Sequence, residues 1–384
     1  MRRLATSLAL VFLAGCDAFA GCFYDSIGKP EMLPALEPLP AIGGLSADNC
    51  AVCHAEIAAE WRTSLMAAST TNPFYRADHA HQHELFLCER CHNPLENQMR
   101  DVVDGLASLD PLVGKGHPNP RYDPALESEG VTCVVCHASA EALGEAPAAT
   151  MFTGERAADA PEAPHPVAVA AALGEHGGMC QRCHQYDPPF VGLPRPPADT
   201  HAEYDRYRAA GGTASCLDCH MPKIEGRVAN ASPPRLRRSH RFLGVRDGAF
   251  VAEHVEATVE AAPGGVQLVV TNRAGHHVPT ADPGRVLAAT VTRVSDGQAG
   301  PSRTVRFRRD FDPEHLVERY DDSLLPLETR RVFIPFAGPG STYRLTLELF
   351  RYEPRHPLAL AARRDREALV THVKTTTVSA VTGR

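Results

Sequence analysis

Five copies of one short spacing constrain this chain more than anything else in it. Cys50-Ala51-Val52-Cys53-His54, Cys88-Glu89-Arg90-Cys91-His92, Cys133-Val134-Val135-Cys136-His137, Cys180-Gln181-Arg182-Cys183-His184 and Cys216-Leu217-Asp218-Cys219-His220 all read C-x-x-C-H. Ten of the twelve cysteines sit in these motifs. Two thiols three positions apart on one turn can each bond a vinyl group along one edge of a porphyrin. The next residue then lies under the iron, where a histidine supplies the proximal imidazole. Zinc ribbons and redox dithiols also use C-x-x-C, but neither needs a histidine after it. Histidine is only 19 of 384 residues, so its presence after all five motifs argues for covalent haem. The expected cofactor is therefore five c-type haems, with the ten cysteines as attachment points and His54, His92, His137, His184 and His220 as proximal ligands.

The motifs run from Cys50 to His220, 171 residues for five haems, in steps of 38, 45, 47 and 36 residues that are too irregular for a solenoid. A stretch so interrupted by glycine and proline cannot offset its ordering entropy by side-chain burial alone, so the porphyrins have to be its core. Closely packed haem edges would form a path for electrons. Short helices should carry the motifs, separated by irregular segments such as Pro188 to Pro197, with little sheet.

Residues 246–384 hold no cysteine and read differently. Alternating or β-branched runs lie near His254–Glu260, Val266–Thr271, Val286–Val294, Thr304–Arg308, Arg330–Pro335, Tyr343–Tyr352 and Val370–Val378. Turns such as Pro263-Gly264-Gly265 and Gly338-Pro339-Gly340 separate them, and seven short strands suggest an antiparallel β-sandwich-like domain. No nucleophile motif, phosphate loop or paired-carboxylate pattern occurs in it, so it reads as a cap or docking module. A boundary is expected near Arg246, between a haem domain over 46–245 and the sandwich over 246–384.

The N-terminus points to export. Arg2 and Arg3 precede an apolar run, Leu4 to Leu13, which is too short to span a bilayer and ends Leu13-Ala14-Gly15-Cys16. This resembles the bacterial lipoprotein cleavage box, which implies removal of residues 1–15 and lipid attachment at Cys16. An ordinary small-residue cleavage site is the alternative. Residues 16–45, with Pro30, Pro34, Pro38 and Pro40, suit a semi-rigid tether in which Cys22 is a spare thiol. The expected location is exported and lipid-anchored to a bacterial membrane, in the periplasm or on the outer surface. Formal charge is −7, with 20 basic and 29 acidic residues in 1–245 against 19 and 17 in 246–384. Haem propionates would add further negative charge, which excludes nucleic acid as a partner.

Several stretches carry a resemblance to a known family. Glu60-Trp61-Arg62-Thr63-Ser64-Leu65-Met66-Ala67-Ala68 is similar to a W-x-x-S-x-M/H-x-A segment, Cys91-His92-Asn93-Pro94 to C-H-x-P, and Gly130-Val131-Thr132-Cys133 to G-V-x-C. Cys219-His220-Met221-Pro222 is followed by His240-Arg241-Phe242-Leu243-Gly244, like C-H-M-P and then H-x-F-x-G. Asn272-Arg273-Ala274-Gly275-His276-His277-Val278-Pro279-Thr280 matches N-x-x-G-H-x-x-P-T. Over roughly residues 46–350 the chain resembles the multihaem c-type cytochromes related to the tetrahaem electron carrier of nitrifying bacteria. The fold expected is a mainly α/irregular multihaem cytochrome domain followed by an antiparallel β-sandwich-like domain.

The resemblance implies His240 as a distal ligand and puts His276 in a loop that reaches a haem. His165 and Met66 come next, and a thioether at Met66 would raise one potential. Met66 as a packing residue beside Trp61 is the alternative. His79, His81 and His83 form a cluster that reads as one further axial ligand, with a separate zinc or copper site as the alternative, while His117, His176, His201, His254 and His277 are candidates that read more readily as surface or propionate-binding residues. The expected function is single-electron relay between a membrane respiratory complex and other redox proteins, without catalytic residues. A reductase or oxidase of small nitrogen or sulfur oxyanions, using one open iron, is the alternative. All five motifs end in histidine, whereas pentahaem nitrite reductases commonly place lysine under the catalytic iron. A structural subunit of a larger respiratory complex is a third reading.

Overall fold

The computed structural model describes residues 32–38, 42–81, 86–106, 114–139, 151–154, 165–174, 177–186, 196, 198–312, 317–336, 342–353, 355–362 and 369–379. Cys16, the signal segment 1–15, the first part of the tether, His83, His176 and nearly all of Pro188 to Pro197 lie outside them. The chain divides into two compact units. One comprises 1–183, 188–191 and 222–242; the other comprises 184–187, 192–221 and 243–384. The division crosses the fourth motif between Cys183 and His184. Among the described residues no helix is long and apolar enough to cross a membrane.

The motifs are helical for a geometric reason. Positions i, i+3 and i+4 of a helix share one face, so a helical C-x-x-C-H sends both thiols and the imidazole to the same side. Four motifs lie within the short helices Phe86–His92, Cys133–His137, Gly178–His184 and Cys216–His220. The first spans the junction of Ala47–Ala51 and Ala55–Arg62, with His54 at the N-cap of the second helix.

In the first unit, Leu33, Leu45, Leu95, Leu126, Val134, Val135 and Ala138 form the main apolar cluster, around the third motif. Much of the remaining interior is polar. Buried amides satisfy irregular backbone that would otherwise be orphaned. Asn97 accepts from the Leu36 N–H and donates to the Leu36 and Arg121 carbonyls. Gln98 donates to the carbonyls of Leu126 and Gly130. Gly130, the glycine of G-V-x-C, has φ +60°, and a Cβ there would stand 2.2 Å from Ser69 Oγ and 2.7 Å from the Met66 carbonyl oxygen. Among the described residues of this unit, sheet is limited to short pairs: Asp101–Leu106 with Gly114–Pro118, Met151–Thr153 with Val167–Val169, and Lys223–Gly226 with Arg235–Arg238.

The second unit carries eight longer strands: β1 Val255–Ala262, β2 Gly265–Asn272, β3 Val286–Ser295, β4 Gln298–Asp312, β5 Val317–Asp321, β6 Thr329–Pro335, β7 Thr342–Phe350 and β8 Val370–Ser379. They form two antiparallel sheets, ordered β6-β2-β1 and β5-β4-β3-β7-β8. Inward residues of both sheets share one core: Val255, Ala257, Val259, Val266, Leu268, Val270 and Ile334 meet Leu287, Ala289, Val291, Phe307, Leu345, Leu347 and Leu349. Each of the seven runs read from alternation contains or overlaps a strand. The eighth, β5, has the charged edge sequence Val-Glu-Arg-Tyr-Asp and gives no such signal. His254 ends the helix Gly248–His254 rather than opening a strand.

Candidate multihaem site

Four of the motif histidines are anchored by Nδ1 to a backbone carbonyl. His54 Nδ1 donates to the Val228 carbonyl at 2.6 Å, His92 Nδ1 to Ser69 at 3.0 Å, His137 Nδ1 to Phe152 at 2.7 Å and His220 Nδ1 to Leu243 at 2.6 Å. A backbone carbonyl on Nδ1 selects the tautomer with a lone pair on Nε2 and fixes the ring, as metal-bound imidazoles require.

Three of these rings face a second histidine at nearly one distance. Ring centroids are 6.3 Å apart for His54 and His165, 6.2 Å for His137 and His240, and 6.1 Å for His220 and His276. An atom bound in line between two imidazoles at about 2.0–2.1 Å from each nitrogen separates the centroids by about 6.3 Å. The distal rings are anchored in the same manner, His240 Nδ1 to the Arg238 carbonyl, His276 Nδ1 to His277 and His165 Nδ1 to Pro166. Burial, reinforced by the neighbouring His276, lowers His220 to about 4, and burial beside His137 lowers His240 to about 4. His137 and His276 are lowered by burial as well. All four are neutral at pH 7 and keep the lone pair a metal needs.

Burial acts against thiolate formation at several of the motif cysteines. Burial pushes Cys88 up to about 12 and Cys136 up to about 11 and also raises Cys219, the reverse of an activated C-x-x-C. None of the ten is in a disulfide. Thiols from different motifs do approach one another: Cys50 lies beside Cys133, and Cys91 beside Cys183. Within each pair the contact lowers one thiol and raises the other. Among the described residues no three His, Cys, Asp or Glu side chains gather to hold a bare metal ion. The donor set, with paired imidazoles spaced to sit on either side of one metal ion and thiols beside one of each pair, fits covalently bound haem.

The other sequence candidates are placed as follows. His79 stacks on Tyr75 and lies 3.5 Å from Glu89, and Tyr75 stacks on His92 at 4.0 Å. His117 is exposed on the strand Gly114–Pro118. His201 lies 3.5 Å from Asp205. His277 is buried with Glu203, Asp321, Ser323 and Arg206. His254 donates Nδ1 to the Phe250 carbonyl, and both His220 and His276 lie within its electrostatic reach. His184 is similarly close to His276. Met66 occupies the turn after the helix Ala55–Arg62, held by its carbonyl, which accepts from Ser69 and Val131. Motif reading assigned nothing to Glu60, Arg237, Glu203 or Asn272, which turn out to hold the segments bearing His240 and His276. Their signal, polar residues at positions that become buried, shows only in the fold.

No family model and no curated protein matches the sequence. The chain is similar to the crystal structure of a penta-heme cytochrome c552 from Thermochromatium tepidum, with a TM-score of 0.63 over 89% of this chain and 100% of that one, at 19% identity. The fold is that of a multihaem cytochrome. At this identity the likeness speaks for the path of the backbone, and the residues at each iron have to be argued from this chain.

Proposed function

We propose that this chain is an exported, lipid-anchored pentahaem c-type cytochrome that relays single electrons between a membrane donor and redox proteins outside the cytoplasm. The observation carrying this reading is the second imidazole opposite His54, His137 and His220 at 6.1–6.3 Å. An iron held by imidazole on both faces exchanges electrons but offers no position to a substrate. When bound, haem supplies the one-electron iron couple.

The chain's own residues do the rest. The five motif histidines and ten cysteines would hold the cofactors, and His165, His240 and His276 would supply the second imidazole at three of them. Met66 remains the thioether candidate for a high-potential site. The Nδ1 bonds fix ring orientation and raise ligand basicity. The Cys50–Cys133 and Cys91–Cys183 contacts support a relay, since they make the first motif a neighbour of the third and the second a neighbour of the fourth. Residues 16–45 would tether the haem region to lipid on Cys16. The motif resemblance to the tetrahaem carriers of nitrifying bacteria supports the same role.

The test is an optical and electron-paramagnetic-resonance titration of the purified holoprotein with and without carbon monoxide. Five low-spin haems that ignore the gas are expected. A high-spin haem that binds it would replace the simple carrier with the oxyanion reductase or oxidase reading.

A further inference from the structure

His240 sits just beyond the strand Arg235–Arg238, in irregular backbone that has no ladder to hold it. Its height above His137 is set by a residue far away in sequence. Glu60, on the helix that begins beside His54, accepts the His240 backbone N–H at 2.8 Å on Oε2. Arg237 closes a fork on the same carboxylate, NH1 to Oε2 at 3.0 Å and NH2 to Oε1 at 2.8 Å. The Arg237 side chain is 6% exposed and that of Glu60 17%. Glu60 thus receives three charge-assisted bonds in a sheltered site, and the geometry of such a fork is stiff. Gly226, on the paired strand, leaves the room this needs: a Cβ there would stand 2.7 Å from Arg237 NH2 and 2.9 Å from Nε. The side chain then keeps only its χ1 and χ2 rotations, which the Nδ1 bond to the Arg238 carbonyl restricts.

We infer that Glu60 and Arg237 are positioning residues for the distal ligand of the third haem, holding His240 where its ring meets an iron carried by His137. Neither touches the haem in this account; both act through the His240 backbone. The inference rests on the proposed ligation by His240. It also means that the helix starting at the first haem's proximal histidine sets coordination at the third.

The experiment uses full-length holoprotein with its haem content checked by the pyridine assay. Variants Glu60→Ala, Glu60→Gln, Arg237→Lys and Gly226→Ala are compared with His240→Ala by electron paramagnetic resonance and carbon monoxide uptake. Glu60→Ala should convert one haem toward the high-spin, gas-binding form seen in His240→Ala, and added imidazole should return it to low spin. Loss of one charge-assisted hydrogen bond should shift the bound-to-open ratio of His240 by about tenfold or more. Glu60→Gln, Arg237→Lys and Gly226→Ala should give smaller changes of the same kind, because each keeps part of the fork. They carry the same readout if Glu60→Ala does not accumulate. The inference is overturned if His240→Ala opens a haem while every Glu60 and Arg237 variant keeps all haems low-spin and gas-silent, whatever happens to thermal stability. If His240→Ala opens no haem, the ligation reading fails, and this inference fails with it.

Discussion

Asn272 shows how a single side chain can place a candidate ligand it reaches only through the backbone. It is completely buried, and its amide is fully used. Nδ2 donates to the carbonyls of His276 at 2.8 Å, Leu324 at 3.1 Å and Leu325 at 2.9 Å, while Oδ1 accepts the Ala274 N–H at 2.8 Å. This clamps the loop from Asn272 to Thr280 against a segment some fifty residues later. Asn272→Ala should cost about 1–3 kcal/mol, the desolvation penalty of the groups left unpaired. Asn272→Asp should cost more, about 3–5 kcal/mol, because a buried carboxylate oxygen would face three carbonyl oxygens. Denaturant unfolding of the two variants tests the order, and an aspartate variant as stable as the alanine one would refute the clamp. The signature N-x-x-G-H-x-x-P-T was legible in the sequence, but the job of its asparagine was not, since its acceptors come from Leu324 and Leu325. The signature also put His276, not His277, in the loop expected to reach a haem. They are adjacent in sequence, yet one ring faces His220 and the other lies among Glu203, Asp321 and Ser323.

At the scale of elements, the motif helices are too short to form by themselves, since nucleation is not repaid within five to seven residues. The fifth motif has a device against this. Ser215 Oγ accepts the Asp218 N–H, and Asp218 Oδ2 accepts the Ser215 N–H at 3.0 Å, a capping box that closes the helix Cys216–His220. Ser215→Ala should cost about 1 kcal/mol locally. Because Cys216 and Cys219 must be presented together for attachment, the same variant should also raise the share of chains one haem short. Intact-mass analysis of matured protein reads this directly, and an unchanged haem distribution would refute the role of the cap. Strands of the sandwich were legible because burial on one face enforces alternation, as in Val255, Ala257 and Val259. Short pairs such as Lys223–Gly226 with Arg235–Arg238 were not, because their register serves the Glu60–Arg237 contact rather than an apolar face. The resemblance singled out His240 and His276, with His165 and Met66 next, but not which motif each would face. What selects His165 for His54 is a contact across more than a hundred residues, which no local spacing encodes.

For the whole molecule, the two kinds of interior predict two kinds of stability. The sandwich core is continuous and apolar through both sheets. Among its described residues the first unit has only small apolar clusters, seven buried residues around the third motif and Phe152 with Ala170, while Asn97 and Gln98 spend their amides on irregular backbone. Burial on that scale does not balance the entropy of ordering so many residues, so covalently bound porphyrin must contribute the missing apolar surface. A chain produced without haem maturation should therefore keep slow amide exchange in β2, β3 and β7 and lose it across residues 47–137. Hydrogen exchange followed by mass spectrometry separates the alternatives. Protection in both regions would mean that the polar network of Asn97, Gln98 and Asn119 suffices to fold the motif helices, and that the haems fill a preformed scaffold. Protection in the sandwich alone would mean that attachment and folding of the first unit are one process, with each haem supplying the core on which the next motif is presented.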